Sequence, residues 1–106
     1  MLKRVKRRYL ALQVDSDGLP SQKEFMDAVW NAVTKLYGEY GASLTSMALI
    51  DYDVKKNTVV IRTSLATVDL VRTSLASITS VADKEAAVHV LAVSGTIKAL
   101  RNKVRE

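Results

Sequence analysis

A chain of 106 residues, 48% of them hydrophobic, is long enough for one domain with a real core and too short for two. It has no cysteine, which excludes a disulfide scaffold, a thiolate metal site and thiol catalysis, and its one histidine gives little basis for a Ser-His pair. The net charge is +5 and unevenly placed: residues 1–8 and 98–106 hold nine bases against one acid, while residues 9–97 hold seven bases and ten acids.

We expect a single domain over residues 1–106, with a basic N-terminal arm at 1–7, a folded core at 8–94 and a basic C-terminal helix at 95–106. No apolar run approaches the roughly 18 residues needed to span a bilayer, and MLKRVKRR lacks the apolar core of a signal peptide. The expected setting is the cytoplasm, away from membranes.

In chain order, residues 8–14 (RYLALQV) set Leu10, Leu12 and Val14 on one side of a strand and Tyr9, Ala11 and Gln13 on the other. Residues 15–20 form a turn, and Ser21-Gln22-Lys23-Glu24 is a capping box that starts a helix. Phe25, Ala28, Val29, Ala32, Val33 and Leu36 follow at helical spacing, and Gly38 is placed to end that helix in a left-handed cap. Residues 45–53 and 58–63 read as strands joined by a hairpin at Asp53–Asn57. Val68, Val71, Leu75 and Ile78 mark a second helix with Thr67 as its N-cap, and residues 87–93 are a fourth strand, apolar enough to be covered on both faces. Ser94-Gly95-Thr96-Ile97-Lys98 then turns into a short basic helix striped by Ile97, Leu100 and Val104, which must dock to be stable.

The order β-α-β-β-α-β plus a helix predicts an α+β fold, a two-layer ferredoxin-like or RRM-like sandwich with an added C-terminal helix. Right-handed crossovers place the first and third strands centrally and the second and fourth at the edges, with antiparallel neighbours. The start of strand one, the end of strand four and the start of the second helix then share one end of the sheet. The basic N-terminal arm (Lys3, Arg4, Lys6, Arg7, Arg8) and the basic C-terminal helix (Lys98, Arg101, Lys103, Arg105) should form one positive pole, a pattern suited to phosphates.

Ser94, Gly95 and Thr96 can be read as a helix cap or as an anion site. Base stacking on the sheet is disfavoured, because residues 58–63 hold no aromatic side chain and strand one offers only Tyr9. Arg62, a charge in a central strand, calls for a carboxylate, a partner chain or a phosphate. Met26, Trp30 and Tyr37 form a second apolar stripe on the first helix and suggest a protein partner. His89 reads as a packed or edge residue; Asp51 and Asp53 read as a solvated strand end. No metal ligand set and no catalytic set are expected.

The stretches KRRYLALQV, LYGEYG, LIDYD, VVIR, VRTSLASI and above all VLAVSGTIKALRNK resemble the archaeal ribonuclease P protein component 2 family, which has eukaryotic counterparts, over residues 6–103. The resemblance implies a non-catalytic, RNA-binding subunit of a ribonucleoprotein whose RNA cleaves the 5′ leader from precursor tRNA. It also implies Mg²⁺ held with the RNA and none bound by the protein, and a component 3 partner in a heterodimer, two of which form a dimer of dimers. Ser94, Gly95, Thr96, Ile97 and Lys98 fall on the family motif. The segment SVADKEAAVHV departs from the shorter, glycine-containing turn expected before strand four. An ACT-like small-molecule regulatory domain is the alternative on the same element order. An acylphosphatase-like enzyme is set aside, because Asp15-Ser16-Asp17-Gly18 is acidic where a phosphate loop would be needed.

Overall fold

The structure, a computed structural model, describes residues 6–16, 18 and 20–104. Five strands and three helices follow one another as β1 (Arg7–Ser16), α1 (Gln22–Ser43), β2 (Ala48–Asp53), β3 (Thr58–Ser64), α2 (Val68–Ala76), β4 (Ser80–Val81), β5 (Lys84–Ser94) and α3 (Ile97–Val104), with a 3₁₀ turn at Leu65–Thr67 leading into α2. The sheet order is β2-β3-β1-β5-β4 and every described pairing is antiparallel. This is the ferredoxin-like arrangement, with β1 and β3 inside.

Alternation along β1 sends Leu10, Leu12 and Val14 to the core, where Val59 and Ile61 of β3 and Val88 of β5 join them. Phe25 and Val29 of α1 and Val71 and Leu75 of α2 close that face. Each such side chain contributes about 1.5–3 kcal/mol on leaving water. The α1 start matches its sequence signal: the Glu24 amide donates to Ser21 Oγ at 3.1 Å, and the Ser21 amide donates to Glu24 Oε1 at 3.0 Å. On the opposite face α3 packs against β1 and β5, burying Leu100 and covering Ala11.

Several details differ from the sequence reading. The helix does not end at Gly38: that residue breaks it with φ 78° and ψ 171°, and helical geometry resumes through Ser43. Strand β2 starts at Ala48 rather than residue 45, because Thr45 is fully buried as a cross-link. Its hydroxyl donates to the Ala42 carbonyl at 2.7 Å, and its own carbonyl accepts from the Ser64 amide and the Thr63 hydroxyl. Thr67 occupies the N-cap position of α2, but its hydroxyl lies 2.6 Å from Ser64 Oγ and caps nothing.

The last strand begins at Lys84, three residues before the expected start, and pairs with β4 through a tight turn. Ala82 and Asp83 both take positive φ there, 51° and 68°, as a type I′ hairpin demands. The short β4 therefore flanks the beginning of β5, which does not form the sheet edge along its whole length.

Candidate nucleic-acid interface

The strand ends on which the predicted pole depends do meet. Arg7 pairs with Ser64 and Tyr9 pairs with both Arg62 and Ser94, so β1 begins where β3 and β5 end. The Lys6 carbonyl accepts from the Leu65 amide at 2.8 Å, fastening the start of the described chain beside the 3₁₀ turn. Lys6 and Arg7 are exposed and Arg8 is half-buried, its Nη1 donating to the Arg7 carbonyl at 2.9 Å. Lys3, Arg4 and Arg105 lie outside the described residues.

Across the pole, Ser94 is buried and ends β5, which removes its side chain from surface contact. Thr96 is the residue that caps α3: its Oγ1 accepts from the Ala99 amide at 3.1 Å, and its carbonyl accepts from the Leu100 amide at 3.1 Å. Lys98 and Arg101 are exposed. Lys103 Nζ donates to the Val93 carbonyl at 2.7 Å and so helps strap α3 to β5.

Arg62 sits on the α3 face of the sheet with Tyr9 and Ala48 opposite it on the two neighbouring strands. Its Nε is buried with no hydrogen-bond partner among the described residues, a donor left over on a cationic side chain. On the same face a recess of about 600 Å³ opens between α3 and the β2–β3 hairpin, lined in part by Val60, Leu91, Leu100, Gln13 and Arg101. Asp51 and Asp53 also line it, but Asp53 already accepts from the Lys55 and Lys56 amides at 3.0 and 3.2 Å. His89 is exposed opposite Gln13. Among the described residues no group of three or more His, Cys, Asp or Glu is placed to hold a metal ion, and no helix is long and apolar enough to cross a membrane.

The apolar stripe on α1 divides. Met26 is half-buried, with part of its side chain packed against the core. Trp30 and Tyr37 are 43% and 42% exposed. Tyr40 and Leu44, 78% and 49% exposed, extend that face past Gly38 and escaped the sequence reading because the helix was expected to stop there. Leu36, expected in the core, is 46% exposed and lines an open groove with Ile78. Burial pushes the Tyr52 phenol above its ordinary range, with the Glu24 carboxylate adding to the shift.

A ferredoxin-like α+β domain with exposed cations where β1 begins and an exposed apolar face on α1 has the form of a binding subunit. The family model described as the Rpp14/Pop5 family matches residues 8–105, and the chain belongs to that family. Ribonuclease P protein component 2 of Pyrococcus furiosus is 36% identical over 100 residues, covering 94% of this chain and 83% of that protein. The protein of the same name from Methanosarcina mazei is 32% identical over 100 residues, covering 94% and 84%. A chain of the cryo-EM structure of yeast ribonuclease MRP superposes with a TM-score of 0.72 at 17% identity, covering 91% of this chain and 79% of its own, and shares the fold. The ACT-like alternative finds no support in these matches.

Proposed function

We propose that the chain is an RNA-binding protein subunit of ribonuclease P, in which the RNA component carries the cleavage of the 5′ leader from precursor tRNA. The observation that carries this reading is the match to component 2 proteins over nearly the whole chain, in a fold where β1 begins beside the end of β5. The pole neutralises backbone phosphates, so that RNA segments which repel one another can pack at lower Mg²⁺. That Mg²⁺ is held with the RNA; the protein supplies positive charge and shape.

The exposed α1 face, built on Trp30 and Tyr37, suits a protein partner, for which component 3 is the candidate, with two such heterodimers pairing in the holoenzyme. Cleavage of precursor tRNA by the RNA component, measured against Mg²⁺ with and without this chain and a component 3 protein, tests the reading. The Mg²⁺ requirement should fall when both proteins are present; a requirement unchanged by omitting this chain would overturn it.

A further inference from the structure

Gly95 stands in the middle of the motif, and its backbone does not explain why. The two glycines with positive φ are Gly18 and Gly38; Gly95 takes an ordinary φ that any residue can adopt. What a side chain would meet is the informative fact. A Cβ at this position would lie 3.3 Å from Arg8 Nη1 and 3.7 Å from Arg8 Cζ, and among the described residues it would approach no other side chain or distant backbone within 4 Å. Continuing the β1–β5 register by one residue beyond Tyr9 and Ser94 places Gly95 directly across from Arg8. The guanidinium thus fills the space that a side chain at 95 would claim, while Nη1 donates to the Arg7 carbonyl.

We propose that Gly95 is a positioning residue, whose missing side chain lets Arg8 lie across the turn and present its guanidinium to an RNA phosphate at the basic pole; this rests on the RNA-binding reading above. Arginine suits the role because its donors form a planar fork, and with Nη1 partly engaged by the Arg7 carbonyl the other nitrogens still offer N–H groups to a phosphate. Restraining the group before RNA arrives reduces the side-chain entropy lost on binding. A methyl at 95 makes the Arg8 guanidinium give by a few tenths of an ångström, since the flexible arginine is the part that can yield, and a planar fork that meets a phosphate in one geometry loses that contact when it is shifted.

The test is binding of the full chain to a labelled transcript of Pyrococcus furiosus ribonuclease P RNA across a salt series. Each lost phosphate contact lowers the slope of log K against log salt by about 0.7–0.9. Arg8→Ala should weaken binding and lower the slope by that amount. Gly95→Ala should do the same although no charge has been removed, and the double variant should match Arg8→Ala alone. In the Gly95→Ala background, Arg8→Lys should restore the slope, because a slender ammonium side chain need not lie flat over residue 95. The inference is overturned if Arg8→Ala lowers the slope and Gly95→Ala does not, if the two losses add, or if Arg8→Lys brings no recovery. Wild-type binding that does not depend on salt would instead overturn the RNA-binding reading itself.

Discussion

The hydroxyl of Thr63, at the end of β3, donates to the carbonyl of Thr45 at 2.8 Å, and both residues are fully buried. The bond closes the break between α1 and β2 over the strand that leads into the basic pole. Ser64 extends the closure, with its amide 2.9 Å from the Thr45 carbonyl and its hydroxyl donating to the Leu44 carbonyl at 3.0 Å.

Thr63→Val keeps the shape and removes the donor, so it should cost about 1–2 kcal/mol of stability. Thr63→Ser should recover most of that loss. Urea unfolding of the three proteins checks the ordering, and equal midpoints for Val and Thr would show that the Ser64 amide alone satisfies the carbonyl.

Gly38 has nothing within 4 Å of the position a Cβ would occupy, so Gly38→Ala introduces no clash. Its cost is conformational: φ 78° with ψ 171° is a region essentially confined to glycine, and forcing alanine into it costs on the order of 1–3 kcal/mol. The substitution should lower the melting temperature by straining the break that sets where Tyr40 and Leu44 lie. Loss of component 3 binding beyond the loss of stability would be the functional sign.

Tyr52 should ionise above the ordinary range of a tyrosine. Because its folded pKa is raised, folded and unfolded chains hold the same proton well below pH 10. Above that the unfolded chain releases it first, so this contribution to stability is lost as pH rises from 10 through the folded pKa. Absorbance titration of tyrosinate, wild type against Tyr52→Phe, isolates the late component. Glu24→Gln keeps the capping box and should shift that component down only partway, since burial is the larger cause.

The sequence patterns that predicted well were those with one physical meaning. Alternation in β1 and the Ser21–Glu24 box admit a single reading, and both match the structure in detail. Gly38 was legible as a left-handed glycine, but whether a chain resumes its helix afterwards depends on what it packs against. The β4–β5 turn was hidden because Ala82 replaces the Gly or Asn that normally announces a type I′ hairpin. The shared pole followed from topology alone, whereas the buried hydroxyls of Thr45, Thr63 and Thr67 could not be told from surface threonines. Met26 is a related case: one helical stripe grades into the next, and the packed structure shows this residue half-buried against the core.

The central claim is that the pole where β1 begins and β5 ends faces RNA. It is tested most directly by salt-dependent binding to ribonuclease P RNA after charge reversal at Arg7 and Lys98, beside a control reversing Lys55 and Lys84 at the other end of the sheet. The account predicts that the pole variant loses affinity steeply and flattens the salt dependence, with the control retaining most of both. Equal losses from the two pairs would contradict it, because binding would then follow net charge and not the pole.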